Sequence, residues 1–263
     1  MLKCGTVYAL ILLLGLCGPA LAQVGTEPQD EIPAFHNDHW HVAISPYLWM
    51  AGMSGTMSIG NHEATVNQSF ADIFSNLKFG LMGLTEVRRG RIGFLSDFMW
   101  VDLNDEKSVP IQGLPTGVDV NMDVNTLTFT QYVGYRILGN HHGTIDYLGG
   151  GRYYHVHSKL SANANLGGGG VSDSKNDNWA DFVQGARFTY NFTPKIGAFF
   201  AGDAGGGGSQ LTYQIVAGMG YRWGKRWSTE VGYRRLYFDR TRGDFGLEQT
   251  QQGILLGATF RLK

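Results

Sequence analysis

The sequence predicts an all-β fold: a closed, antiparallel, up-and-down transmembrane β-barrel of about ten strands. Segments in which apolar and polar residues alternate with a period of two recur along the chain. Most of them exceed the roughly 9–11 residues that a tilted strand needs to cross a bilayer. The connections mostly alternate between long and short, as in outer-membrane barrels. Eight or twelve strands are the alternatives, and a soluble antiparallel sandwich is the competing class.

The C-terminal stretch GILLGATFRLK shows the alternation most clearly. One side carries Ile254, Leu256, Ala258, Phe260 and Leu262, and the other side carries Gly253, Gly257, Thr259 and Arg261 beside the exception Leu255. Lipid offers no partners for backbone N–H and C=O groups, so a sheet in a bilayer has to close on itself. We therefore expect residues 253–263 to pair with residues 39–50, with the apolar stripe facing lipid.

Residues 1–22 have the features of a cleaved signal peptide. Lys3 precedes an apolar run from Val7 to Cys17, which is too short for a membrane helix, and Ala20-Leu21-Ala22 forms a small-x-small cleavage site. Both cysteines, Cys4 and Cys17, lie inside this segment. Residues 23–263 therefore contain neither a disulfide framework nor a Cys-ligated zinc site. We expect residues 23–38 to form a periplasmic segment and residues 39–263 to form the barrel.

Composition narrows the function classes further. The formal net charge is −1, which gives no reason to expect nucleic-acid binding. The 38 glycines have no Gly-X-Y period, and aromatic residues make up 13% of the chain. Glycine and aromatic residues in alternating segments favour strongly curved β-structure over a disordered chain.

Three long outer loops are expected at about residues 51–77, 104–121 and 160–178. In the first, GTMSIG and HEATVNQ are expected to pair as a hairpin around Gly60-Asn61. The following SFADIFSNL is expected to form a short helix that begins near Ser69 or Asp72. With an even number of strands, both termini would lie on the periplasmic side.

Four tryptophans are expected to form an aromatic girdle at the membrane interface, because they lie near strand ends. They are Trp40, Trp179, Trp223 and Trp227.

Four segments of the chain carry a resemblance: SPYLWMAGMSG, LKFGLMGLTEVRRGRIGFLSDFMWVDL, GYRWGKRWSTEVGYRRLYFD and GILLGATFRLK. They resemble segments of a group of small proteobacterial outer-membrane β-barrel proteins. The group belongs to the broad class that contains outer membrane protein A-like barrels and the lipid A palmitoyltransferase. The resemblance is architectural, so it implies the barrel and no specific chemistry. Strands of such proteins usually finish on an aromatic residue, whereas here Phe260 is followed by Arg261, Leu262 and Lys263.

Charged residues fall on the inward side of the predicted strands. They are Glu86, Arg88, Asp97, Arg136, Arg152, Glu230 and Arg234. Two interpretations follow: a polar pore or catalytic cluster, or a ladder of ion pairs that fills the lumen. A barrel of about ten strands has a narrow interior that side chains nearly fill, and buried charges need partners. We favour the ion-pair ladder.

Histidines raise two further hypotheses. His36, His39 and His41 could contribute to a zinc or copper site, although their spacing matches no specific metal motif. His155 and His157 with Asp97 could serve a catalytic site at the outer rim. Surface histidines without a special role are the simpler interpretation of both sets.

The sequence therefore predicts a monomeric, non-catalytic outer-membrane barrel without a cofactor. Its role would be structural, or surface interaction, or limited passage of small solutes. A rim enzyme that acts on lipid A or peptides and a carrier of apolar ligands are the alternatives. The expected partners are outer-membrane lipid, lipopolysaccharide and the barrel-assembly machinery.

Overall fold

The computed structural model describes residues 39–59, 62–109, 118–164, 171–242 and 245–262. They form one antiparallel sheet that closes into a ring of ten strands, with a short additional strand that pairs only with the first one. The elements are β1 (His41–Ile59), β2 (His62–Gln68), α1 (Phe70–Ser75), β3 (Leu77–Arg89), β4 (Ile92–Val109), β5 (Val118–Asn140), β6 (Gly143–Ala164), β7 (Val171–Asn191), β8 (Ile196–Gly207), β9 (Leu211–Arg222), β10 (Trp227–Arg242) and β11 (Phe245–Leu262).

The ring closes between the first and last strands. Val42 pairs with Leu262 and Met50 pairs with Ile254 in an antiparallel ladder. The other ring strands pair with their neighbours in chain order, whereas β2 pairs only with the far end of β1. The predicted closure, antiparallel topology and ten-strand ring are confirmed.

Alternating residues of the strands face opposite sides of this wall. On β11, Ile254, Leu256 and Phe260 are between 44% and 49% exposed, whereas Leu255 and Thr259 are buried. The apolar stripes of the strands therefore form an outward belt and do not meet in a shared core. The sandwich alternative is wrong for this reason.

The two ends of the barrel differ. At one end, here called the turn end, tight connections join β3 to β4 and β5 to β6, and Gly90 adopts φ 57° in the first of them. At the other, extended end, strands run on past the apolar belt. The segments expected as loops are mostly strand, since β1 reaches Ile59, β4 reaches Val109 and β7 starts at Val171. Polar residues continue the backbone ladder there, because pairing requires no apolar face.

The segment between β1 and β3 contains the paired strands and the short helix that the sequence predicts. β2 pairs with β1 from Met53↔Gln68 to Ile59↔His62, and the expected turn at Gly60-Asn61 lies outside the described residues. Ser69 caps α1 and forms a capping box with Asp72. Within the described residues, no helix is long and apolar enough to cross a membrane.

The interior also contains a layer of apolar side chains, and a layer this large was not expected from the sequence. It lies between the ring walls and includes Trp49, Leu84, Leu95, Met99, Leu148, Val183, Leu236 and Leu255. Charged groups in the lumen are therefore surrounded by hydrocarbon as well as by polar side chains.

Candidate functional site

A cluster of five charged side chains fills the lumen at the turn end; we call it the turn-end cluster. It consists of Glu86 and Arg88 on β3, Arg136 on β5, Asp146 on β6 and Arg187 on β7. Three guanidinium groups surround two carboxylates, and all five residues are at most 9% exposed. Such groups are stable in a barrel interior only when they are paired.

Arg187 is the centre of this cluster. Its Nη1 donates to Glu86 Oε2 at 2.8 Å, and its Nη2 donates to Glu86 Oε1 at 3.0 Å and to Asp146 Oδ2 at 2.6 Å. Arg88 links the same two acids, because its Nε donates to Glu86 Oε1 at 2.8 Å and its Nη2 to Asp146 Oδ2 at 3.2 Å. Arg187 therefore connects β7 to β3 across the lumen.

A backbone irregularity positions the remaining arginine. The register between β5 and β6 shifts between Arg136 and Leu138, so Ile137 forms a β-bulge. Arg136 stands directly opposite Asp146 in this ladder, and its Nε donates to Asp146 Oδ1 at 3.0 Å. Ile137 and Leu138 both remain on the exposed surface.

A second set of polar side chains lies near mid-height; we call it the mid-barrel network. It consists of Tyr132, Arg152, Asp203, Gln214 and Arg234. Arg152 Nη2 donates to both Asp203 oxygens at 3.0 Å and to the Tyr132 hydroxyl at 2.9 Å. Tyr132 in turn donates to Asp203 Oδ2 at 2.8 Å, and Gln214 donates to the same oxygen at 3.1 Å.

Arg234 extends the mid-barrel network towards the other wall. Its Nη2 donates to Gln214 Oε1 at 2.6 Å, and its guanidinium carbon lies 4.5 Å from the ring centroid of Trp49. A cation over an indole ring within about 6 Å is attracted by the ring quadrupole. Close by in sequence to Trp49, Tyr47 donates to Asp97 Oδ1 at 2.9 Å.

The structure distributes the seven predicted lumen residues over several groups. Glu86, Arg88 and Arg136 belong to the turn-end cluster, and Arg152 and Arg234 to the mid-barrel network. Asp97 contacts Tyr47, and Glu230 accepts a hydrogen bond from Ser228 at 2.7 Å.

Sequence reasoning missed four central members of these groups. They are Tyr132, Asp146, Arg187 and Asp203. Each lies at a strand position opposite in parity to the outward aromatic residues, as Arg187 does next to Phe188. The alternation of inward and outward positions along each strand could therefore have identified them from the sequence.

Three tryptophans of the predicted girdle lie at the turn end. Trp40, Trp223 and Trp227 are exposed, and the rings of the latter two stack with centroids 5.5 Å apart. Trp179 lies elsewhere, so this part of the prediction is wrong. It is 7% exposed and faces the lumen at the extended end, where it stacks on Tyr154 at 4.8 Å. Its position in the strand has inward parity, which overrides its nearness to a loop.

The hypothetical catalytic residues are not brought together. Asp97 is buried in the lumen, whereas His155 and His157 lie on the outer face of β6, alternating with buried Tyr154 and Val156. His155 contacts Asn178, and His157 Nδ1 lies 2.6 Å from Asn176 Oδ1. The barrel wall therefore separates the acid from both imidazoles.

The hypothetical metal ligands lie at the chain start of the barrel. His39 and His41 are at the turn end, and His36 lies outside the described residues. In the described part of the chain, no three His, Cys, Asp or Glu side chains are grouped closely enough to hold a metal ion.

One ion pair lies beyond the apolar belt at the extended end. Lys78 Nζ is 2.7 Å from Asp123 Oδ1, and both side chains are well exposed. The hydrogen bond from Lys78 lowers the pKa of Asp123 below its ordinary value. An exposed pair of this kind contributes little to stability, so it serves as a contrast to the buried clusters.

Comparison with solved structures supports the fold. The outer membrane protease OmpT from Escherichia coli superposes with a TM-score of 0.51 at 9% identity, covering 86% of this chain and 97% of that one. The translocator domain of the autotransporter NalP from Neisseria meningitidis gives a TM-score of 0.44 at 12% identity, covering 86% and 90%. Ail, the attachment invasion locus protein of Yersinia pestis, gives a TM-score of 0.37 at 12% identity, covering 85% of this chain and 98% of that one.

No protein-family model matches the sequence, and no curated protein matches it. The fold is therefore the property that the comparisons show. The chain shares the closed antiparallel barrel of an outer-membrane protein, at an identity too low to carry over any activity.

Proposed function

We propose that this chain is a monomeric, non-catalytic outer-membrane barrel with a structural or surface-interaction role, whose lumen is closed to the free passage of solutes. The turn-end cluster is the observation that carries this proposal. Its five charged side chains connect β3, β5, β6 and β7 through the interior.

The energetics of the cluster oppose an open channel. A solute that passes the turn end has to separate guanidinium groups from carboxylates that are buried and doubly bonded. Removing one partner of such a buried pair costs about 3–5 kcal/mol, because the other charge is left without compensation. The mid-barrel network adds a second polar layer above the first.

The outer surface supports a membrane location. Aromatic and aliphatic side chains cover the outside of the ring, and hydrocarbon is the environment that stabilises such a surface. Outer-membrane lipid and lipopolysaccharide are the partners that this belt would contact. The terminal strand β11, which closes the ring, is the segment we expect the assembly machinery to engage.

The extended end supports a surface role. β5, β6 and β7 contain 23, 22 and 21 residues, about twice the roughly 9–11 that a bilayer crossing needs. Their surplus length projects beyond the belt as paired strands. In this proposal the projecting strands face the cell exterior, and both chain termini face the periplasm.

Solute flux into liposomes tests the closed lumen. Purified protein in liposomes should admit a small sugar no faster than protein-free liposomes do. The double variant Glu86→Ala with Arg187→Ala removes one facing pair and should raise the flux. Lys78→Ala with Asp123→Ala removes the exposed pair at the extended end and is the matched control. Rapid flux through the unaltered protein would contradict the proposal.

A further inference from the structure

The barrel wall is interrupted between β1 and β3. These strands pair only from His41↔Arg88 to Pro46↔Gly83. Proline has no backbone N–H, so it cannot donate to the ladder at that point. Over the described residues beyond it, β1 pairs with β11 alone from Tyr47 to Gly52, and its second ladder resumes at Met53 with β2. At about 3.4 Å per residue, the interruption is roughly 20 Å long.

Helix α1 lies over this interruption. A Cβ on Gly52 would come within 3.1 Å of the Gln68 carbonyl oxygen and 3.6 Å of the Phe70 amide nitrogen, so the chain that leads into α1 crosses β1 closely. None of the helix residues is buried, and Phe74 is 56% exposed. Few buried contacts mean that such an element opens at low cost. α1 is therefore a cover without a buried residue, and half-buried Ile73 packs it against the apolar layer.

A cavity of about 60 Å³ lies behind the cover. Lumen-facing Trp49, Ala51 and Met53 line it together with Leu48, which faces outward and is 42% exposed. Residues from both the inner and the outer face of β1 therefore line this cavity. It reaches from the lumen to the outer surface of the barrel. Among the described residues that line it, none carries a charge.

We propose that this cavity is a lateral binding site for the end of one acyl chain of a membrane lipid, which enters between β1 and β3 beneath α1. The uncharged lining favours hydrocarbon over a polar ligand, because burial of apolar surface is the main favourable term it can supply. The small volume accommodates a chain end and not a whole lipid. Continuity with the lipid-facing side at Leu48 selects the bilayer as the source.

The inference rests on the proposed membrane location but not on the closed lumen. Trp49 supplies the probe, since it lines the cavity and is only 3% exposed. The protein is reconstituted in phosphatidylcholine liposomes whose acyl chains carry bromine near their ends, because bromine quenches indole fluorescence at contact. The difference in emission between the unaltered protein and Trp49→Phe isolates the signal of Trp49.

We expect Trp49 to lose most of its emission in brominated liposomes relative to unbrominated ones. Ala51→Phe fills the cavity and should restore the emission, whereas Ala180→Phe, at an exposed position on β7, should not. Phe70→Ala with Phe74→Ala trims the cover outside the ring and should increase the quenching. This second variant keeps the test meaningful if Ala51→Phe does not fold.

Three results would overturn the proposal. Equal Trp49 emission in the two kinds of liposome would show that no chain end enters. Quenching that survives Ala51→Phe would show that bromine acts through the wall. Quenching by added bromodecane but not by brominated lipid would assign the site to free hydrocarbon. The exposed Trp223 and Trp227 report insertion separately, in liposomes whose acyl chains carry bromine near the headgroup, because these interfacial indoles are quenched there only if the barrel is in the bilayer.

Discussion

Arg187 and Glu86 face each other across the lumen although they are 101 residues apart in the chain, and Arg187 Nη1 lies 2.8 Å from Glu86 Oε2. Their strands, β7 and β3, are not neighbours, because β4, β5 and β6 stand between them in the ring. Backbone ladders connect only adjacent strands. This pair therefore adds a connection across the interior that the sheet itself cannot provide.

Removal of one carboxylate should destabilise the barrel strongly. Glu86→Ala leaves Arg88 and Arg187 without one of their two acidic partners, and we expect the free energy of unfolding to fall by about 3–5 kcal/mol. Urea titration in detergent, followed by intrinsic fluorescence, measures the change. Asp123→Ala breaks the exposed pair and should alter stability by no more than about 1 kcal/mol. Similar small effects of both variants would contradict the structural role of the cluster.

A change in the mid-barrel network should cause a smaller loss of stability. Tyr132→Phe removes a hydroxyl that donates to Asp203 and accepts from Arg152. We expect a loss of about 1–3 kcal/mol, because both charged partners stay buried with one hydrogen bond fewer. Tyr233→Phe is the matched control on the exposed face and should be nearly neutral. The same urea titration compares them, and equal stability of the two variants would argue against the network.

The orientation of the barrel can be tested with cysteines, because residues 23–263 contain none. Ser174→Cys places a thiol at an exposed position of the extended end, and Lys195→Cys places one at the turn end. A maleimide that cannot cross membranes should label Ser174→Cys on intact cells and Lys195→Cys only after the outer membrane is opened. The reverse pattern would invert the proposed orientation.

The fold could be predicted because its cause is local. The stripe of Ile254, Leu256 and Phe260 is visible in eleven consecutive residues, and hydrocarbon outside a sheet requires closure. The same parity also predicts the inward face of Arg187 and Trp179. The error over Trp179 arose because its distance from a loop was weighed above its parity.

The contacts inside the lumen could not be predicted in the same way. Parity places Arg187 and Glu86 on the inner face, but their meeting depends on the tilt and stagger of strands around the whole ring. The bulge at Ile137 shifts the register that sets Arg136 against Asp146. The interruption between β1 and β3 could not be predicted either. Pro46 indicates a missing hydrogen-bond donor, but it does not give the length over which the two strands stop pairing.

The seam that closes the ring gives the last prediction. Gly253 pairs with Ala51, and a Cβ at Gly253 would clash with the carbonyl oxygen of Met50. Gly253→Ala should therefore push β11 away from β1 and leave backbone groups unpaired in lipid, where each costs several kcal/mol. We expect a lower fraction of folded protein in gels run without heating and a lower urea midpoint. Gly224→Ala is the control, because no atom lies within 4 Å of its added Cβ. An unchanged midpoint for Gly253→Ala would show that the seam tolerates separation, and closure would then not be the requirement on which this fold depends.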